Sequence, residues 1–127
     1  MKHLIKKLTE TFSPSGYESK IREIIREEIK DFADEIRVDA LGNLIARKGS
    51  GGKKIMLAAH MDEIGLIVNH VDKNGFARFS QLGTFLPHTL VGARVRFLNG
   101  AYGVVGAEYL RKERQTKLAP LDKMFID

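Results

Sequence analysis

The chain has 127 residues, of which 43% are hydrophobic and 29% charged, a composition that fits one globular domain or two small units and excludes a disordered protein. Its net charge of +5 comes from 21 basic and 16 acidic residues that are interleaved and accompany no nucleic-acid-binding motif, so no nucleic-acid partner is predicted. The sequence has no cysteine, no apolar run long enough to span a membrane and no signal-peptide pattern, which favours a cytoplasmic protein without a membrane partner.

Two amphipathic helices are predicted at the amino-terminal end. The apolar spacing over residues 2–12 favours the first helix, which ends before Pro14 because proline disfavours helical geometry in the preceding residue. Ser15 and Glu18 have the spacing of a capping box, which predicts the start of a second helix. Its apolar stripe ends near Phe32. Both helices are interpreted as elements that cover a core.

A short hairpin and a buried strand are predicted next. Residues 36–40 and 43–47 form a candidate antiparallel pair, in which Gly42 supplies a positive φ at the turn. Residues 55–59 are continuously apolar and follow the glycine-rich turn at 49–52, which favours a strand covered on both faces.

The residues that can carry chemistry follow directly on this strand. His60 and Asp62 stand beyond its carboxyl end, where catalytic groups of open α/β sheets tend to lie. Residues two apart in an extended chain point to the same side, so His60 can bind a metal through one ring nitrogen and offer its other N–H to Asp62. Glu63 is expected to face the other way. The spacing leaves open the alternative that His60 is an interior histidine and Asp62 caps a turn.

The second half of the chain is predicted to be a small all-β module. Asn74-Gly75 and Asn99-Gly100 each stand between apolar-rich runs, which is the strongest local signal for a β-hairpin. The apolar run at 124–127 has no turn or cap after it, so we expect an unpaired edge strand there and a chain that is part of a longer protein. The charged residues 108–118 are interpreted as an exposed loop or, alternatively, as a subunit contact.

The motif His60-Met-Asp-Glu-Ile-Gly65 resembles the first metal motif of the tetrahedral aminopeptidases. This family of co-catalytic metallopeptidases includes glutamyl and deblocking aminopeptidases, and some relatives carry an endo-1,4-glucanase label. Other segments match the family in order: Phe12-Ser-Pro-Ser-Gly16 with Glu18, Asp39-Ala-Leu-Gly-Asn43-Leu44, and Leu118-Ala-Pro-Leu-Asp122-Lys123 running into Phe125-Ile-Asp127. The resemblance spans essentially this whole chain, but only the amino-terminal part of the family's enzymes.

The resemblance implies an α/β fold class with two parts. Residues 1–68 would be the amino-terminal part of a catalytic domain, with two helices and a mixed sheet. Residues 69–127 would belong to an inserted β-rich domain of the dimerisation type, incomplete at its carboxyl end. The implied partners are a peptide substrate and further copies of the chain, joined through the β module into dimers or a dimer-based dodecamer.

The resemblance also implies the chemistry. The family's enzymes hold two divalent metal ions, zinc or cobalt, and use metal-activated water to remove amino-terminal residues from peptides. His60 would be a metal ligand and Asp62 the carboxylate that orients it, and no residue is assigned to another cofactor. The remaining ligands and the general base would lie beyond residue 127. The chain alone is therefore expected to be inactive and to bind no metal tightly.

Two alternatives stay open at this point. The chain could be a catalytically inactive dimerisation or interaction module, which the missing ligands and the predicted edge strand suggest. It could also be a glycan hydrolase, which only the endoglucanase label suggests. Most glycan hydrolases use two carboxylates that flank the bond, whereas Asp62 and Glu63 are expected to point to opposite sides, so this alternative is disfavoured.

Overall fold

The computed structural model describes residues 1–108 and 119–127 and divides them into two compact units, Met1–Glu63 and Ile64–Asp127. Two helices and a hairpin form the first unit and a five-stranded sheet forms the second, which confirms the predicted fold class. Whether these units serve as part of a catalytic domain and as a dimerisation-type domain stays a prediction. Most of the charged stretch at 108–118 lies outside the described residues, so its two interpretations are untested.

Two helices open the first unit, α1 at Lys2–Thr9 and α2 at Ser19–Ile29. Both end earlier than the apolar spacing predicts. At the end of α1, the hydroxyl of Thr11 donates to the carbonyl oxygen of Lys7 at 2.6 Å. In a longer helix the backbone N–H of residue 11 would donate to this carbonyl oxygen. Here the Thr11 hydroxyl donates to it instead, and the helix ends. In the described part of the chain, neither helix is long and apolar enough to cross a membrane.

The predicted capping box at the start of α2 is wrong. Glu18 is the N-cap residue, and no side-chain hydrogen bond caps the helix. The hydroxyl of Ser15 donates instead to the carboxylate of Asp62, and the carboxylate of Glu18 accepts the N–H of Gly16 at 2.6 Å. The hydrogen bond that Ser15 donates to an ionised carboxylate is stronger than the one that it would accept from a backbone N–H in a capping box, so the tertiary contact overrides the local pattern.

The predicted hairpin is confirmed, with antiparallel strands β1 at Glu35–Val38 and β2 at Leu44–Arg47. Asp39 closes the turn, since its carboxylate accepts the backbone N–H of Asn43 at 2.9 Å and the side-chain amide of the same residue at 2.9 Å. These bonds from Asn43 lower the pKa of Asp39. Gly42 has the predicted positive φ, 87°.

The predicted buried strand over residues 55–59 is wrong. These residues all lie in the described part, where they adopt no strand and pair with none of the described strands. The side chains of Ile55, Met56 and Leu57 are 88%, 87% and 93% exposed. A strand needs a neighbour to satisfy its backbone groups, and an apolar run needs a surface to cover it. The first unit supplies neither, so an apolar segment stands uncovered beside His60.

The described residues of the second unit form a five-stranded antiparallel sheet. Both hairpins predicted from Asn-Gly pairs are confirmed, and Gly75 and Gly100 have φ of 90° and 89°. The helical content of the described part of this unit is limited to the 3₁₀ turns Pro87–Thr89 and Leu121–Lys123. In sheet order the strands are β3 at Gly65–Val71, β4 at Ala77–Leu82, β7 at Met124–Ile126, β6 at Tyr102–Ala107 and β5 at Arg94–Arg96.

The expectation of an unpaired strand at the carboxyl end is wrong, because β7 lies in the middle of the sheet between β4 and β6. Its pairing extends to the last residue: the N–H of Asp127 donates to the carbonyl oxygen of Val104 at 3.0 Å, and the reciprocal bond is 2.9 Å long. Among the described strands, β3 and β5 lie at the two edges of the sheet. The pairing of β7 on both sides therefore removes the carboxyl-terminal edge that suggested an interaction module.

The buried core of the second unit lies on one face of this sheet. On the opposite face, the ring of Phe125 lies 4.3 Å from the ring of Phe76 between centroids, and the guanidinium of Arg78 lies 5.5 Å from its centroid. Gly106 allows this arrangement, since a Cβ there would approach the Phe125 ring to 2.6 Å. The core residues are Ala77, Phe79, Val105, Met124 and Ile126.

Arg78 joins the β3–β4 turn to Glu108, the residue that follows β6. Its guanidinium donates to the carboxylate of Asp72 at 2.7 and 3.0 Å and also to the carboxylate of Glu108. Asp72 in turn accepts the backbone N–H groups of Asn74 and Phe76 at 2.9 and 3.1 Å. The hydrogen bond from Arg78 is the largest cause of a lowered pKa at Asp72.

This lowered pKa predicts that acid weakens the second unit. A carboxylate whose pKa is lower in the folded state contributes stability above its unfolded pKa of about 3.9 and loses it as the pH falls through the folded value. We expect the protection factors of the β4 amides, which correct for the intrinsic pH dependence of exchange, to fall below about pH 4, and Asp72→Asn to remove part of this acid dependence. Asp122→Asn, on an exposed turn, is the control. Equal acid dependence in wild type and Asp72→Asn would contradict the prediction.

Candidate metal centre

The candidate site begins in the loop between the two helices. The carbonyl oxygen of Pro14 accepts the N–H of Tyr17 at 2.8 Å, and Gly16 has a φ of 88°. A hydrogen bond across four residues with a positive φ at the third is the pattern of a type II turn, which glycine adopts without strain. Ser15 therefore occupies the corner of this turn.

Backbone and side-chain bonds hold this loop against the residues that follow His60. The N–H of Ser13 donates to the carboxylate of Glu63 at 2.7 Å, and the N–H of Glu63 donates to the carbonyl oxygen of Ser13 at 3.0 Å. Pro14 and Glu63 form an isolated parallel bridge. Glu63 thus has partners different from those of Asp62, as predicted, because adjacent side chains of an extended chain point to opposite sides.

His60 contacts Asp62 as the spacing predicts. The Nδ1 atom of His60 lies 3.1 Å from Oδ1 of Asp62 and 3.0 Å from its backbone carbonyl oxygen. An ionised carboxylate and a carbonyl can only accept, so Nδ1 carries a proton, and in the neutral ring Nε2 keeps its lone pair. The His60 side chain is 86% exposed, which rules out the interior histidine that the spacing had left open. The role of the pair at a metal stays a prediction.

Asp62 is held in its ionised form by both neighbours. Its second oxygen, Oδ2, accepts the hydroxyl of Ser15. The hydrogen bond from Ser15 is the largest cause of a lowered pKa at Asp62, followed by the hydrogen bond from His60. The sequence pattern assigned Ser15 to a helix cap and missed this contact, which joins residues 47 positions apart.

The residues present fit one ligand of a metal centre but not a complete one. An open cleft of about 230 Å³ lies beside His60 and Asp62, so the free Nε2 is accessible. A catalytic zinc takes three protein ligands. Among the described residues, however, no three histidine, aspartate or glutamate side chains come together. The rest of the cleft is lined by Glu18, Leu41, Gly42, Asn43, Leu44, Ala59 and Met61.

Comparisons with known proteins place the chain in a family. A model of the M42 glutamyl aminopeptidases matches residues 42–127. The lysyl aminopeptidase of Pyrococcus furiosus is 43% identical over 125 residues, which are 94% of this chain and 36% of the relative. The chain spans about a third of the length of the curated relatives it matches.

Solved structures give the same result. A TET aminopeptidase from a marine sediment thaumarchaeote superposes with a TM-score of 0.88 at 35% identity, covering 99% of this chain and 38% of that one. The Pyrococcus horikoshii TET1 peptidase, which assembles into a tetrahedron or a large octahedral shell, has a TM-score of 0.83 at 41% identity, covering 99% and 39%. An endoglucanase from Thermotoga maritima also matches, with a TM-score of 0.79 at 33% identity over 97% of this chain and 37% of that one.

Proposed function

The chain belongs to the M42 glutamyl aminopeptidase family, and on this premise we propose that it is part of a metal-dependent aminopeptidase that removes amino-terminal residues from peptides. The observation that carries the proposal is the contact between His60 and Asp62, which leaves one ring nitrogen of an exposed imidazole free to bind a metal. The uncovered apolar residues 55–57 beside His60 fit a site that further polypeptide completes.

In this proposal each residue of the pair has a separate task. His60 would bind a divalent metal ion through Nε2, and Asp62 would hold the ring in the tautomer that leaves Nε2 unprotonated. When bound, the metal ions would supply Lewis-acid activation of water and of the substrate carbonyl. Two ions, zinc or cobalt, are proposed from the family alone. Imidazole nitrogen is a suitable ligand for either.

The isolated chain is proposed to be inactive. The described residues offer one convincing ligand, whereas a catalytic zinc takes three. A glycan hydrolase is not proposed, because the carboxylates of Asp62 and Glu63 have different partners, Ser15 and His60 for the first and Ser13 for the second. They do not flank a common space as a pair of catalytic carboxylates would.

We also propose that the second unit joins copies of the chain into dimers and larger assemblies. The Pyrococcus horikoshii relative forms a tetrahedron or an octahedral shell, which supports an oligomeric parent protein. Exposed apolar side chains on the sheet, among them Ile67, Tyr102 and Val104, give this unit a surface that association could cover. The cytoplasmic location stays a prediction.

A chimeric enzyme tests the proposal. Residues 1–127 would replace the corresponding part of the Pyrococcus furiosus lysyl aminopeptidase, with which they share 43% identity. With zinc or cobalt, we expect the chimera to hydrolyse lysyl p-nitroanilide and the isolated chain to show no turnover. Turnover by the pure isolated chain, abolished by His60→Ala, would contradict the division of the site between this chain and further polypeptide.

In the chimera, Asp62→Ala is expected to lower metal affinity by about 10–100-fold, the usual effect of removing a group that orients a metal-binding histidine. Zinc affinity, measured by competition with a chromogenic chelator, provides the readout. Asp122→Ala removes an exposed carboxylate in the second unit and is expected to leave the zinc affinity unchanged. An Asp62→Ala chimera with unchanged zinc affinity would show that Asp62 does not support a ligand.

A further inference from the structure

The carboxylate of Asp62 accepts one hydrogen bond at each oxygen. His60 donates to Oδ1, and Ser15 donates to Oδ2. Rotation about the last bond of an aspartate side chain is broad, so one donor alone leaves the plane of the carboxylate poorly defined. Two donors on opposite oxygens fix that plane, and with it the direction in which His60 is held.

Ser15 is itself held in place from both sides. The hydrogen bond between Pro14 and Tyr17 and the positive φ of Gly16 fix the turn in which Ser15 is the corner residue. One residue before that turn, the paired bonds between Ser13 and Glu63 tie the loop to the chain segment that carries Asp62. These hydrogen bonds therefore fix the position from which the hydroxyl of Ser15 donates to Asp62.

We propose that Ser15 is a positioning residue that, through Asp62, fixes His60 in the tautomer protonated on Nδ1 and so presents Nε2 for coordination. Its meaning for catalysis rests on the proposed function, but the effect on the ring does not require a metal. The Asp62 carbonyl oxygen also accepts from Nδ1, at 3.0 Å, so loss of Ser15 is expected to weaken the preference for this tautomer without reversing it.

The test measures the ring nitrogens of His60 directly. The full 127-residue chain, labelled with ¹⁵N-histidine and free of metal, is examined by long-range ¹H–¹⁵N NMR at a pH of about 8, where an ordinary imidazole is neutral. In wild type we expect the shifts of the Nδ1-protonated form. In Ser15→Ala we expect both ring resonances to move part of the way toward those of Asp62→Ala.

Two matched variants separate positioning from a general structural effect. Ser15→Thr keeps a hydroxyl at the corner of the turn and is expected to restore the wild-type resonances. Ser13→Ala removes a buried hydroxyl that donates to the carbonyl oxygen of Thr11 at 3.2 Å and does not touch Asp62, so its spectrum is expected to match wild type. Thermal unfolding of each variant shows that the chain is folded.

The inference is overturned if Ser15→Ala gives the wild-type ring resonances, or if Ser13→Ala moves them as far as Ser15→Ala does. These outcomes are independent of the proposed function. An inactive chimera together with shifted resonances in Ser15→Ala would refute the aminopeptidase proposal and leave the role of Ser15 intact. An active chimera with unshifted resonances in Ser15→Ala would support the aminopeptidase proposal and refute the role of Ser15.

Discussion

Replacing His60 with alanine in the chimeric aminopeptidase is expected to lower kcat/KM for lysyl p-nitroanilide by at least about 100-fold. Removing a group that only orients a ligand costs about 10–100-fold, and removal of the ligand itself should exceed that range. The imidazole is exposed beside an open cleft, so alanine leaves no buried cavity behind. A loss of activity without loss of folding is therefore the expected result.

The matched control is His70→Ala. His70 is an exposed histidine on β3 in the second unit, outside the candidate centre. Its removal is expected to change kcat/KM by no more than about twofold, the size of an ordinary surface effect. If His60→Ala and His70→Ala have equal activity, His60 is not a ligand and the metal assignment fails.

The second large effect concerns stability. Met124 is 1% exposed in the centre of the second unit, so Met124→Ala removes a large apolar side chain from a packed core. Such truncations cost about 2–5 kcal/mol in the free energy of unfolding. This is a large fraction of the total free energy of unfolding of a typical domain, which is about 5–15 kcal/mol. Urea denaturation followed by amide signals of β4 and β6 would measure the loss.

Leu57→Ala is the control for this prediction. It also truncates a large apolar side chain, but one that is 93% exposed in the first unit. We expect a change within about 0.5 kcal/mol, because little apolar surface returns to water. A large loss of stability in Leu57→Ala would mean that residues 55–59 are covered in solution.

Local patterns predicted the parts of the fold that depend on neighbouring residues. Gly75 and Gly100 mark hairpins because the turn geometry itself demands a positive φ, whatever packs around it. Apart from the early end of α1, the failures depend on distant partners. The run at 55–59 has the composition of a buried strand but no neighbour in the first unit. The run at 124–127 looked like an edge, yet it pairs on both sides with strands from earlier in the chain.

The candidate site likewise combines one contact that neighbouring residues determine with one that depends on a distant partner. The contact between His60 and Asp62 was predictable, since residues two apart in an extended chain share a side and complementary groups at that spacing meet. The contact of Ser15 with Asp62 was not, because it depends on how the loop before α2 folds back. Ser15 also fitted a common local motif, the capping box, which concealed its tertiary partner.

The most direct test of the account is the position of the metal in crystals of the zinc-loaded chimera, located by anomalous diffraction at the zinc edge. The predicted result is a zinc ion about 2.0–2.1 Å from Nε2 of His60, the usual zinc–nitrogen distance, with Nδ1 still donating to Asp62. A fully occupied zinc site in which His60 takes no part, or binds through Nδ1 with Asp62 displaced, would contradict it.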